Sequence, residues 1–314
     1  MDRPSYVRDR PNAEADNADL YHKPSSNSAT VAKHYNEIRE LGVEGRLYTK
    51  ITGLRLFNNW VKSCLIRQYT KRGNKVLDLG CGKGGDLRKW SMSNISEYVG
   101  MDIADVSVGQ AQRRYKEMNN NRFEARFYAQ DCYGEPLEKT LRPVDYKADV
   151  VSTQFCLHYA FESEAKARQM MANVSTHMEP GAYFMCTIPN ANWLEKKRRV
   201  LGDSFGNSVY RVEFAPGKAT RFGTAYSFSL DEAVQDCTEY LVHMPSFVQL
   251  AGEYGLELKD CIGFHHYYTQ QMQRDDATGL FWRMRVIDEE RPEISKDEWE
   301  AIGIYLVVVF RKMQ

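Results

Sequence analysis

A mostly parallel α/β sheet with helices on both faces, carrying a small β-containing insertion, is the fold this sequence predicts. Three observations carry that expectation. Strand-like and helix-like runs alternate from Lys75 to Pro189, the rhythm of a parallel sheet with right-handed crossovers. The first such strand, KVLDLG (75–80), runs into glycines patterned G-x-G-x-x-G at Gly80, Gly82 and Gly85. The 314 residues, 43% of them apolar, suffice for one large domain or two small ones.

The elements follow in chain order. Residues 1–30 are rich in Asp, Asn, Ser, Pro and Arg with almost no apolar period, which predicts a flexible tail. Val31, Tyr35, Ile38 and Leu41 sit at helical spacing before Gly42. A second helix runs through Phe57, Val61, Cys64, Leu65 and Tyr69, and Lys71 to Asn74 form a turn. After KVLDLG a helix starts at Asp86; EYVGMD (97–102) is a strand, and 105–118 a helix. RFEARFYAQ alternates apolar and polar residues as a strand does. ADVVSTQF is a strand, 162–178 a helix, and AYFMCTIP a strand stopped by Pro189. Beyond Asn190 the rhythm breaks. A basic helix with Lys196 to Arg199 precedes strand-like pieces near 208–214 and 222–229, an insertion around 191–235. IYLVVVF (304–310) is a buried strand.

Lys+Arg and Asp+Glu both number 42, so no large basic field for long nucleic-acid tracts is expected, although local basic patches serve a small or capped end. The seven cysteines include no C-x-x-C pair, which argues against a disulfide framework or structural zinc and for a reducing compartment. The opening residues lack the apolar core of a signal peptide, and no apolar run spans a bilayer. A soluble intracellular protein is expected. His265 and His266, taken as strand neighbours, would point to opposite faces, so no metal is expected there.

A lone G-x-G-x-x-G says little; its company says more. Asp102 closes the next strand, 22 positions after Gly80, near the spacing of a carboxylate that grips ribose hydroxyls. A dinucleotide would set its pyrophosphate on the helix start, where Asp86 already stands, with Asp78 just before the loop. Like charges 4 Å apart repel by roughly 4 kcal/mol at an effective dielectric near 20. A P-loop would need Lys and Ser/Thr after the last glycine, where this chain has Asp86. S-adenosylmethionine, with its ammonium and sulfonium, reverses the sign of the conflict. Asp131, after the third strand, suits the adenine amino group, and Lys62 the methionine carboxylate. Read alone, Asp86 equally serves as a helix N-terminal anion, and Lys62 as a solvated helix lysine.

DLGCGKGGDL, with FNNWVKS (57–63) before it and MDIADVS (101–107) after it, resembles the eukaryotic mRNA cap guanine-N7 methyltransferases. HYNEIRE (34–40), STQFCLHYAFES (152–163), TIPN (187–190), EYLV (239–242) and IYLVVVF agree in order from about residue 33 onward. The resemblance implies a class I methyltransferase (Rossmann-like) fold with seven strands, a catalytic domain over 31–314, and S-adenosyl-L-methionine as cofactor. Its residue roles carry over onto matching positions. Lys62, Asp78, Gly80, Gly82, Asp86, Asp102, Asp131, Gln154 and Cys156 would bind the cofactor. Asn58, Lys83, Arg114, Phe155, His158, Tyr159, Pro189, Glu239 and Tyr305 would bind the cap. Without the family, Tyr305 reads as core, Glu239 as a solvated acid, and Lys83 and Arg114 as surface charges. The implied partners are 5′-capped mRNA and the capping guanylyltransferase or transcription machinery; the implied state is a monomer working in the nucleus, with no membrane.

The chemistry suits such a set. Guanine N7 carries a lone pair in the neutral base, so no general acid or base is required. Rate comes from alignment, which can supply about 7–11 kcal/mol, with Glu239, Tyr305 and His158 orienting the base. A carboxylate at 239 would accept from guanine N1–H and the 2-amino group; adenine offers no such pair. The alternative is a class I methyltransferase acting on a small molecule or protein, and a further one is a non-catalytic binding subunit. Lys196–Arg199 serves either as a solvated face or as a contact to RNA beyond the cap.

Overall fold

The computed structural model describes residues 26–37, 49–119 and 122–314. Residues 1–25 of the expected tail, and Ile38, Leu41 and Gly42 of the first expected helix, lie outside the described residues. Helix α1 is Ser26–Glu37, so the last residues of the expected tail, from Ser26 to Thr30, are helical instead. Helix α2 (Thr52–Tyr69) buries Phe57, Trp60, Val61, Cys64 and Leu65, and Trp60 donates its indole N–H to the Ala277 carbonyl at 3.0 Å.

Five strands then alternate with helices. They are β1 (Lys75–Leu79), α3 (Leu87–Met92), β2 (Glu97–Asp102), α4 (Asp105–Glu117), β3 (Glu124–Ala129), β4 (Ala148–Gln154), α5 (Glu164–Thr176) and β5 (Met178–Pro189). Ser163 caps α5 by accepting from the Lys166 amide, and Asn190 caps the next helix by accepting from Trp193. The insertion holds α6 (Ala191–Leu201), β6 (Ser204–Gly206), β7 (Tyr210–Phe214), β8 (Ala225–Leu230) and β9 (Val234–Tyr240). It therefore ends later than the expected boundary near 235. Next come α7 (Met244–Glu253), β10 (Leu256–Gly263), α8 (Phe264–Gln271), α9 (Asp275–Arg283), α10 (Lys296–Ile302) and β11 (Tyr305–Lys312).

The main sheet has seven strands in the order β10-β11-β5-β4-β1-β2-β3. Strands β1 to β5 pair with one another in parallel, and β11 runs antiparallel to both β5 and β10. Val76, Tyr98 and Val150 pack with α2 on one face. Leu77, Val99 and Val151 pack with Met170 of α5 and Phe247 of α7 on the other, as alternation along strands requires. Strands covered on both faces read as continuous apolar runs, which is why VVS and VVV were legible. The four strands β6 to β9 form a separate antiparallel sheet. Strand β7 alternates buried and exposed positions, the mark of a sheet wet on one side.

The histidine pair corrects one expectation. His265 and His266 lie on a helix, α8, not a strand. His265 stacks on Trp299 at 4.4 Å and bonds its carbonyl at 2.7 Å, which ties α8 to α10. Among the described residues no helix is long and apolar enough to cross a membrane.

Candidate active site

The carboxyl ends of β1 to β5 converge on one edge of the sheet, the place where ligands bind in open α/β folds. The strand order reverses between β1 and β4. There the glycine loop after β1 meets the turn after β4. Gly80 has φ +81°, and a Cβ on it would lie 2.5 Å from Cys156 Sγ. Only glycine permits both that dihedral and that approach. Tyr133 holds the same corner, its hydroxyl 3.0 Å from Cys156 Sγ and 3.4 Å from the Leu79 carbonyl.

A cavity of about 360 Å³ opens beside this corner. Of the expected residues, Lys62, Gly80, Gly82, Lys83, Asp86, Asp102, Arg114, Asp131, Gln154, Phe155, Cys156 and Tyr159 line it. Asp102 accepts the amides of Gly82 at 2.7 Å and Ala104 at 2.9 Å. Burial still raises its pKa, against the pull of those amides. Asp131 accepts from Tyr133 N–H at 3.0 Å and Gly134 N–H at 2.9 Å. Its other oxygen accepts from the Ser28 hydroxyl at 2.9 Å.

Asp86 behaves differently from the lone anion expected. Lys62 Nζ lies 2.8 Å from one of its oxygens and 2.9 Å from the other, and Lys89 Nζ is 2.7 Å away. Burial works to raise the Asp86 pKa, but Lys62 and Lys89 outweigh it and hold the carboxyl well below the usual range. The repulsion argument against a pyrophosphate thus weakens at Asp86, whose charge is already compensated.

Asp78 lies behind the cavity wall and is not among its lining residues. It is buried on the Val76 face of β1, where Tyr98 donates a hydrogen bond at 2.9 Å. Burial first, and the nearby Asp86 charge second, push its pKa up to about 7. Between its unfolded value of 3.8 and about 7, the folded chain keeps a proton that the unfolded chain has lost. Stability from this group therefore falls as pH rises through that window, by about 1.4 kcal/mol per unit. Asp78→Asn removes the effect while retaining an acceptor for Tyr98. Thermal unfolding should show the variant gaining on the wild type from pH 4.5 to 7.5; a constant gap would refute the assignment.

A second cluster adjoins the cavity. His158 and Tyr159 sit on a short 3-10 turn after β4, Tyr305 opens β11, Pro189 pairs with it at the end of β5, and Glu239 lies on β9. Glu239 is 6% exposed. Tyr226 of β8 donates to its Oε2 at 2.7 Å, and His158 Nε2 stands 3.4 Å from its Oε1. Both ring nitrogens of His158 are buried with no hydrogen-bond partner, as is Asn58 Oδ1. Buried polar atoms left unpaired are costly, so these atoms are polar valence that the folded chain alone does not satisfy. Asn58 stands one turn before Lys62 on α2, on the same helix face. Burial first, and the Glu239 charge with it, raise the Tyr226 and Tyr305 pKa values, which keeps both hydroxyls as donors.

Phe155 lines the cavity and touches the second cluster at Tyr305. Its φ of +60° is unusual for a bulky residue, and it is held by bonds from its amide to the Thr187 carbonyl and hydroxyl. Its ring lies 4.9 Å from that of Tyr305. Gln154, beside it, is spent on Ser152 and Thr187, each at 3.2 Å.

Several cavity residues were missed. Ser28 and Tyr35 of α1 roof the cavity, and Lys166 bonds Ser28 at 2.6 Å. Ser28 fell in the expected tail; its only signal was a small polar residue ahead of a helical period. Tyr226 showed in sequence merely as an alternating strand residue, and nothing local marked Tyr133.

With this geometry in view, comparison with known proteins is specific. The family model described as mRNA (guanine-N(7))-methyltransferase domain matches residues 20–313. A Schizosaccharomyces pombe protein named mRNA cap guanine-N(7) methyltransferase is 40% identical over 304 residues, covering 93% of this chain and 84% of that protein. A Saccharomyces cerevisiae protein of the same name is 35% identical over 311 residues, covering 90% and 70%. A Cryptococcus neoformans protein, also so named, is 43% identical over 300 residues, covering 92% of this chain but 48% of that protein. The chain thus spans about half the length of the Cryptococcus relatives. Among solved structures, the CcbJ methyltransferase of Streptomyces caelestis aligns with a TM-score of 0.53 at 14% identity, covering 90% of this chain and 96% of that one. That likeness bears on fold alone.

Proposed function

The chain belongs to the mRNA (guanine-N7)-methyltransferase family, and from that premise we propose that it methylates N7 of the guanine in the 5′ cap of mRNA. The observation that carries the reading is the buried Glu239–His158–Tyr226 cluster, which adjoins the glycine-loop cavity through Tyr159, a lining residue whose ring lies 4.4 Å from that of His158. One compartment suits an adenosyl donor and the other a purine with donor groups on one edge.

S-adenosylmethionine, when bound, supplies a methyl group on a positively charged sulfur. The residues fit that molecule. Asp102 and Asp131 offer carboxylates at the ribose and adenine ends. Gly80 lets the glycine loop pack against Cys156, where a Cβ would lie 2.5 Å from the sulfur, and both residues line the cavity. Lys62 offers an ammonium to the methionine carboxylate without abandoning Asp86, since three donors sit on one nitrogen. On the acceptor side Glu239 takes the N1–H and 2-amino hydrogens of guanine, and the aromatic rings of Tyr159 and Tyr305 hold its plane. N7 donates its lone pair to the methyl carbon as the sulfur–carbon bond breaks and its electrons return to sulfur, leaving S-adenosylhomocysteine. No proton moves at the reacting nitrogen, so this chain need supply no base. Its residues act by alignment and by placing a negative charge near the ring that becomes cationic. Lys83 and Arg114 line the cavity where the cap phosphates would pass.

The substrate, a GpppN end, is the product of a capping guanylyltransferase. We infer work on new transcripts in the nucleus beside that activity. The test is direct: incubate the chain with unmethylated capped RNA and methyl-labelled S-adenosylmethionine, then map the label. Label on guanine N7 is expected. Turnover of a small-molecule or protein acceptor with none on capped RNA would overturn the proposal.

A further inference from the structure

We propose that Tyr35 is a positioning residue that couples the two compartments, so that a filled donor cavity raises affinity for the cap guanine. The proposal rests on the reading of those compartments given above. It starts from α1, a 12-residue helix that gives Asn27, Ser28, Val31 and Tyr35 to the cavity lining. Ser28 and Tyr35 are seven residues apart, two turns along one face. At one end Ser28 donates to Asp131 Oδ2 at 2.9 Å, on the wall proposed for adenine. At the other end the Tyr35 hydroxyl lies 3.0 Å from the Tyr159 hydroxyl, on the wall proposed for guanine. Tyr159 in turn stands 3.3 Å from Cys237 Sγ on β9. Cys237 and Glu239 are two apart on that strand and share a face. One helix thus touches both walls, and its second contact leads to the strand that bears the guanine-reading carboxylate.

The energetics favour a helix that responds to ligand. A helix this short is marginal alone in water, so α1 depends on what it rests upon. Ser28 and Val31 are its buried side chains, and Val31 faces the cavity. A donor in the cavity adds contacts beneath Val31 and Asn27 that the open helix lacks. A ligand shifts a conformational equilibrium only through such differential contact. With α1 seated, the Tyr35 hydroxyl gives Tyr159 a second polar partner beside Cys237 Sγ, which fixes its hydroxyl before guanine arrives. The coupling must run both ways.

Calorimetry with the cap dinucleotide GpppG and with S-adenosylhomocysteine tests this. Wild type should bind GpppG about fivefold or more tightly when S-adenosylhomocysteine is saturating, a typical coupling. S-adenosylhomocysteine should gain the same factor from saturating GpppG. Tyr35→Phe keeps the ring on the roof and removes the hydroxyl. Its affinity for S-adenosylhomocysteine alone should stay within about twofold while the coupling factor falls toward one, a split that a merely structural role would not produce. Tyr159→Phe should lose the same coupling, and the double variant should lose no more. Coupling absent in the wild type, or intact in Tyr35→Phe, overturns the inference and leaves the proposed reaction standing. Failure of GpppG to bind under any condition, with S-adenosylhomocysteine still bound, overturns the substrate reading and the coupling with it.

Discussion

Glu239→Ala should lower kcat/KM for capped RNA by about 10²–10³-fold, the scale of losing a preorganised partner to developing charge, while affinity for S-adenosylhomocysteine changes little. The reasoning begins with burial. Glu239 is 6% exposed and already engages Tyr226 through Oε2. Oε1 faces His158 without a hydrogen bond between them, so it is the oxygen open to a guanine edge. Alanine removes the acceptor for two guanine hydrogens and leaves the Tyr226 hydroxyl, buried, without its partner. Glu239→Gln retains an acceptor for Tyr226 but loses the charge and turns an amide N–H₂ toward donors. It should be nearly as impaired as alanine. Initial rates on GpppN-ended RNA, set beside calorimetry of the donor product, check both variants. Full activity in Glu239→Ala would remove the guanine wall from the proposal.

Gly80→Ala is the second large effect, and it acts on the donor. Two costs combine. The αL-like φ of +81° is poorly tolerated by a side chain, at about 1–2 kcal/mol. The added carbon would stand 2.5 Å from Cys156 Sγ and 3.0 Å from Cys156 Cβ, and overpacking of that kind costs about 1–3 kcal/mol. The loop must shift, and with it the Gly82 amide that Asp102 accepts. Donor affinity should fall about a hundredfold. The costs separate in Gly80→Ala/Cys156→Ala. Removing the sulfur relieves the contact but not the dihedral, so the double variant should recover part of the loss and no more. Full recovery would mean that backbone conformation is irrelevant here; none would mean that the clash is.

The sequence carried the fold wherever local pattern and tertiary role coincide. EYVGMD is β2 to the residue, because a strand buried on both faces is apolar throughout. KVLDLG announced the loop, since glycine identity is itself the signal of a positive φ. Residues whose role depends on a distant partner were invisible without the family resemblance. Glu239 is one acid among many until Tyr226 and His158 close around it. Tyr305 sits in a run of core residues, and its position at the mouth of β11 appears only when β11 enters the sheet antiparallel to β5. Asp78 shows the reverse case, a residue whose burial its sequence position does not reveal. It lies next to the loop in sequence, yet its side chain is buried against Tyr98 behind Lys62 and Asp86. His265 and His266, taken as strand neighbours in sequence, lie on α8, where His265 stacks on Trp299 of α10.

The placement of β6 to β9 has an evolutionary corollary. The strand that bears Glu239 belongs to a sheet with its own order and its own pairings, apart from the seven strands beneath the glycine loop. Mutation in that added segment can alter which base is accepted while methyl-donor chemistry stays intact. The other residues proposed for the guanine, His158, Tyr159, Pro189 and Tyr305, stay on the main sheet and its turns, so the added segment refines base choice on a frame shared with the donor site.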